Sequence, residues 1–151
     1  MEFLEYYGMG PYENYVDMSH HVKMDCYNST VTKEFVPYLK PQEHGNHCGV
    51  KFVGISDLIG NAMYVKSDKN FEMQVSHYKS EKLELTKHNS ELVEDDKTYI
   101  RIDYKVAGLG SASCVVDLQD KYRVMDKKVK YEFWLLPTQS SLLKIKEWSK
   151  Y

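Results

Sequence analysis

The strictest constraint on the fold comes from period-two alternation. From Thr98 to Val106 the apolar residues Ile100, Ile102, Tyr104 and Val106 interleave with Tyr99, Arg101, Asp103 and Lys105. Such a pattern suits a strand with one buried face and cannot present a continuous apolar stripe on a helix. The same alternation recurs over Phe71, Met73 and Val75, and again over Val129, Tyr131, Phe133 and Leu135. Shorter segments bounded by Gly, Pro, Asn or Asp add strand candidates at Phe3 to Tyr7, Val36 to Leu39, Val50 to Ile55 and Ala62 to Lys66. Thirteen tyrosines reinforce the reading, because aromatic rings pack well on a pleated, half-buried surface. Short, regularly punctuated strands predict an all-β antiparallel domain, a sandwich or a barrel.

Helical signals are few. Lys33 to Val36 suits a turn, and Glu81 to Lys87 a short helix or an edge strand. Pro137 is expected to stop the last strand and Thr138 to cap a C-terminal helix over Gln139 to Trp148, whose Leu142, Leu143, Ile145 and Trp148 recur about one turn apart. A chain of 151 residues is expected to form one domain, here residues 1–136, followed by a helical tail over 137–151.

Charge and cysteine usage exclude several classes. Twenty basic against 22 acidic residues leave a formal charge of −2, which gives no electrostatic footprint for nucleic acid or an anionic membrane. The longest apolar runs, such as Phe133 to Leu136, are too short to span a bilayer, and the N-terminus lacks a signal-peptide pattern. Cys26, Cys48 and Cys114 cannot all pair within the chain and match no zinc spacing, so free thiols in a reducing, cytoplasmic compartment are expected. The sequon Asn28-Ser29-Thr30 would matter only in a secreted protein.

Two patches carry the chemistry, Tyr7 to Tyr15 and Pro41 to Asn46. Gly8-Met9-Gly10-Pro11 is not followed by the Lys-Ser/Thr of a phosphate loop, and it reads as a tight turn presenting Glu13 and Asn14. The simplest role for that pair is to hydrogen-bond loop backbone, with sugar binding beside the tyrosines as the functional alternative. His44, His47 and Cys48 lie close together, as do His20, His21 and Cys26, but neither spacing matches a metal site, and His44 reads as an exposed loop residue and Cys48 as a small core residue. No metal or cofactor is therefore expected in this chain. Glycoside hydrolysis requires two carboxyls held about 5 to 10 Å apart. Glu13, Glu43 and the run Glu91, Glu94, Asp95 and Asp96 supply carboxylates, but the acidic run reads as a solvated turn and His88 has no nameable partner as an acid or base. Gly108-Leu109-Gly110-Ser111-Ala112-Ser113-Cys114 reads as a loop leaving the sheet with hydroxyls available to a ligand.

Taken together, Tyr7, Gly8, Gly10-Pro11, Glu13-Asn14-Tyr15, Asp17, Pro41-Gln42-Glu43, Gly45-Asn46, His88, Glu91-Leu92, Asp103 and Gly108 to Ser111 with Ser113 resemble, in order and spacing, the C-terminal small-chain domain of family-two β-galactosidases. The resemblance implies the C-terminal half of a galactose-mutarotase-like supersandwich. It implies a non-catalytic role as well, since the family's catalytic glutamates lie in a separate TIM barrel, its expected partner here, and the magnesium and sodium the family often uses are bound elsewhere. It places Ser111, Ser113 and Cys114 at the aglycone border of the galactoside site, where many relatives carry tryptophan, and gives Gly10, Pro11, Glu13, Asn14, Gln42, Glu43, Gly45, Asn46 and His88 structural roles. Met9, Val16, Met18, His47 and Val115-Val116 depart from the family pattern, and the last of these bears on the aglycone contact. A half-sandwich would leave strand edges open, so the isolated chain is expected to associate, as a symmetric dimer. The alternative is a stand-alone carbohydrate-binding module, with aldose epimerisation ranked behind both.

Overall fold

The computed structural model describes residues 1–110 and 117–139. Antiparallel strands β1 (Phe3–Gly10), β2 (Lys23–Thr30), β3 (His47–Ser56), β4 (Ala62–Ser76), β5 (Tyr99–Asp103) and β6 (Trp134–Thr138) form one six-stranded sheet, and α1 (Ser80–Leu85) is a short helix between β4 and β5. The order across the sheet is β2-β1-β3-β4-β5, with β6 also pairing with β4. The mostly-β, antiparallel expectation holds.

β4 organises the sheet because of its length. Its first residues, Ala62 to Lys66, pair with Ser56 to Phe52 on one side and with β6 on the other, and its last, Glu72 to Ser76, pair with β5. Between them the register against β3 shifts twice, around Val50, which accommodates extra β4 residues as a bulge. Ser67 secures this bend by donating from its hydroxyl to the Glu132 carbonyl at 2.7 Å.

One face of the sheet carries the core. Leu4 and Tyr6 of β1, Val50, Val53 and Ile55 of β3, and Val65, Phe71, Met73 and Val75 of β4 are buried together, with Ile100, Ile102 and Tyr131 packed against them. Each fully buried aliphatic or aromatic side chain contributes about 1.5–3 kcal/mol of transfer free energy. Loss of such a side chain leaves a cavity that a close-packed sheet cannot refill.

Several sequence expectations need correction. The candidates at Ala62 to Lys66 and Phe71 to Ser76 are one strand. Val36 to Leu39 is irregular, and Lys128 to Phe133 precedes rather than forms the last strand. Pro137 does not end that strand, for it lies within β6 opposite Met63; an edge position needs no outward N–H donor there. β2 had no apolar signature, since most of its side chains are exposed. Its outer edge has no strand beside it among the described residues. The helix expected over 139–148 lies, apart from Gln139, outside the described residues.

At the start of the chain, Glu2 and His77 join the approach to β1 to the end of β4 through an Oε2 to Nε2 contact of 2.7 Å. Burial acts to raise the Glu2 carboxyl, but hydrogen bonds from His77 and Thr32 outweigh it and hold the group below its ordinary 4.5. Burial acts to lower His77, while its hydrogen bonds to Glu2 and the Lys97 carbonyl carry it above its ordinary 6.5. A depressed acid stabilises above its unfolded pKa and a raised base stabilises below its own, so the pair contributes most between 4.5 and 6.5. Glu2→Gln is expected to lower the denaturation midpoint at about pH 5.5 more than at about pH 8.5. An equal loss at both pH values would contradict this linkage.

Candidate functional site

The two motif patches meet behind the sheet face opposite the core. After Gly10, a turn carries the chain to Asn14, whose backbone N–H donates to the Asn46 carbonyl at 2.7 Å. The Asn14 side chain is fully buried. Its Nδ2 donates to the Met9 and Tyr12 carbonyls at 3.0 and 2.9 Å, and its Oδ1 accepts from the Cys48 N–H at 2.9 Å. Asn46 completes the joint by donating from Nδ2 to the Asn14 carbonyl at 3.0 Å and to Glu72 Oε2 at 2.7 Å. An amide suits Asn14 because one side chain supplies donors and an acceptor at fixed spacing, and Asn46 because its two N–H groups reach two acceptors.

Glu72 projects from β4 into this joint and is buried. Its Oε2 also lies 3.4 Å from the Cys48 thiol, and its Oε1 accepts from the Val106 N–H at 3.1 Å. Burial, followed by the Glu72 charge, pushes the Cys48 thiol well above its ordinary value, so Cys48 is a donor rather than a nucleophile. Glu72 thus links the first patch, the second patch and the segment that leads into the glycine turn.

Asp17 fixes that turn. It sits in a tight reversal closed by reciprocal backbone hydrogen bonds between Tyr15 and Met18, at 3.1 and 2.9 Å. Its Oδ1 accepts from the Leu109 N–H at 3.0 Å and its Oδ2 from the Gly110 N–H at 2.8 Å, while Gly108 N–H donates to the Tyr122 carbonyl at 2.9 Å. The two glycines are required for separate reasons. A Cβ on Gly108 would stand 2.6 Å from Asp17 Cγ, and Gly110 has φ +77°, in the left-handed region. A cleft of about 440 Å³ opens beside the turn, lined by Asp17, Met18, Gly110, Leu118 and Tyr122 among others.

The remaining motif residues brace the loops. Glu13 accepts from the Gly45 N–H at 2.8 Å and from the Tyr38 hydroxyl; burial and that carboxylate push the Tyr38 phenol up to about 12. Glu43 pairs with Arg101, which also contacts Asp103 at 2.5 Å and so ties the second patch to β5. Gln42 contributes its carbonyl, which accepts from His44 Nδ1 at 2.8 Å. His88 is exposed; its backbone N–H and that of Lys87 donate to Glu91 at 3.3 Å, closing a turn whose Asn89 donates to the Tyr38 carbonyl at 2.6 Å. Gly10 is buried against Tyr6 and Tyr27, and Pro11 follows it through a cis peptide bond. Ser111, Ser113 and Cys114 lie outside the described residues.

His44 is buried, not exposed as expected, because Phe35 packs edge-on against its ring with centroids 4.9 Å apart. A buried pair also went unread. His47 Nδ1 faces the Met9 carbonyl at 3.0 Å and Nε2 faces Glu34 Oε2 at 2.8 Å. A carbonyl only accepts, so Nδ1 carries hydrogen, while Nε2 lies against the Glu34 carboxyl group. The sole advance signal was His47 itself, one of the positions that depart from the family pattern.

Asp17 accepts from backbone N–H groups, Glu72 from an amide, a thiol and a backbone N–H, and Glu13 from the Gly45 N–H and the Tyr38 hydroxyl. The arrangement defines a β domain whose polar joint shapes and holds loops. The β-galactosidase small-chain family model matches residues 1–135, and the chain belongs to that family. It is 37% identical over 133 residues to a β-galactosidase of Actinobacillus pleuropneumoniae, covering 88% of this chain and 13% of that protein. Against a β-galactosidase of Staphylococcus xylosus the identity is 36% over 132 residues, and against one of Kluyveromyces lactis 29% over 133 residues, each covering 87% of this chain and 13% of the relative. The chain therefore spans about an eighth of the length of these relatives, and it is a domain of the β-galactosidase type.

Replacing Asp17 with Ala is expected to speed amide hydrogen exchange at Leu109 and Gly110 by about tenfold or more, with exchange in β1 and β3 unchanged, because two N–H groups lose their acceptor. Unchanged exchange at both amides would show that Asp17 does not hold the turn.

Proposed function

We propose that this chain is the non-catalytic C-terminal domain of a β-galactosidase, in which the Asp17-held turn presents residues 111–114 to the aglycone side of the active site. The catalytic carboxylates belong to a separate barrel or large subunit, and the galactoside is bound largely there. Ser111, Ser113 and Cys114 border the substrate, while Glu13, Asn14, Glu43, Gly45 and Asn46 keep the supporting loops in place. In the whole enzyme the sheet forms part of a larger supersandwich.

The observation that carries this reading is the bidentate acceptance of the Leu109 and Gly110 N–H groups by Asp17. A carboxylate used in this way holds a loop and is not free to transfer a proton to a glycosidic oxygen. The departures at Cys114 and Val115-Val116 bear on aglycone preference, because a sulfur cannot offer the stacking face of an indole.

Hydrolysis of a chromogenic β-galactoside tests the proposal. The chain alone is expected to give no turnover, and to restore turnover when added to a β-galactosidase truncated before the equivalent segment. Turnover by the chain alone that is lost in Glu13→Gln or Glu72→Gln would overturn it.

A further inference from the structure

A second cleft, of about 470 Å³, lies beside the first motif patch and is lined by Tyr12, His21, Ser29, Lys33, Glu34 and Val36 among others. We propose that it binds a neutral hexopyranose residue, as a subsite separate from the glycine-turn cleft. The proposal does not rest on the catalytic assignment above.

The floor and walls differ in chemistry. Tyr12 is 67% exposed, and its ring lies 6.4 Å from that of His21 at an interplanar angle of 28°. The rings stack, and the exposed Tyr12 ring offers an aromatic face that suits the C–H face of a pyranose. His21 Nε2 donates to the Glu13 carbonyl at 3.0 Å, which fixes the tautomer of the neutral ring and leaves Nδ1 as an acceptor. Ser29 and Lys33 side chains make no hydrogen bond or ion pair among the described residues, so both retain donors for sugar hydroxyls. Glu34 is positioned through Oε2 by His47 and lines the same cleft.

Charge and shape choose among ligand classes. An anion would meet the Glu13 and Glu34 carboxylates as well as Lys33. A flat aromatic ligand could stack on Tyr12 but would leave Ser29, Lys33 and Glu34 without hydrogen-bonding partners, which lowers affinity. A neutral sugar has an apolar face for the Tyr12 ring and hydroxyls that both donate and accept. Met18 lines this cleft and the cleft at the glycine turn, so a saccharide held here lies next to the loop's base.

Titration of the intact 151-residue chain with D-galactose, D-glucose and inorganic phosphate, followed by NMR, distinguishes these classes. Saturable millimolar shifts at Tyr12 and His21 are expected with a sugar and not with phosphate. Tyr12→Ala is expected to weaken binding by up to about tenfold, the equivalent of the aromatic contact. Lys33→Ala provides a second exposed variant and is also expected to weaken it. No saturable shift with either sugar, a stronger response to phosphate, or affinity unchanged in both variants would overturn the proposal. The readout is spectroscopic, so its failure is distinguishable from failure of the hydrolysis prediction.

Discussion

A buried carboxylate with no cation beside it among the described residues must be balanced by hydrogen bonds, and Glu72 imposes that condition on three segments at once. Its donors come from the Asn46 amide, the Cys48 thiol and the Val106 N–H. None is interchangeable with solvent, because the group is buried and each lost donor would leave the charge less compensated. The second motif patch must therefore sit close to β4, and the chain leaving β5 must turn back over Glu72. Asn14 then locks the first patch onto the same joint through Asn46. Buried polar networks of this kind specify an arrangement of loops through the geometry of each donor and acceptor.

The consequence for function is positional. Asp17 follows Asn14 by three residues, and the turn it holds follows Val106 by two to four, so both partners of the Asp17–glycine contact emerge from the Glu72 joint. The motif residues shape and hold the loop. This accounts for a module rich in carboxylates in which Glu13, Asp17 and Glu72 are all engaged by backbone donors. Of the three, only Glu72 is buried; Glu13 and Asp17 each line a cleft while holding backbone donors.

The core was legible because period two reports which residues share a face. Ile100, Ile102, Phe71, Met73 and Val75 all lie where alternation puts them. The same rule misleads on the opposite face. Glu72, Gln74 and Ser76 look like a solvated side, yet they are buried, and the loop contacts of Glu72 and Gln74 come from residues 24 to 34 positions distant in sequence. β2 left no trace because an exposed edge strand needs no apolar face. Val129 and Phe133 continue an alternating pattern, but both are about half exposed and the ladder begins only at Trp134, since hydrogen-bonded pairing with β4 starts there. The turn at Gly10 and the bracing roles of Glu13 and Asn14 were readable from local chemistry. The Glu34–His47 pair was not, because nothing in the spacing of those two residues announces their contact.

Coupling between Asn14 and Glu72 tests the central account most directly, since the two touch only through Asn46 and Cys48. A double-mutant cycle of Asn14→Ala and Glu72→Gln, followed by chemical denaturation, is predicted to show about 1 kcal/mol or more of interaction energy. Losses that add to within about 0.5 kcal/mol would contradict a single polar joint and would make the two patches independent loops.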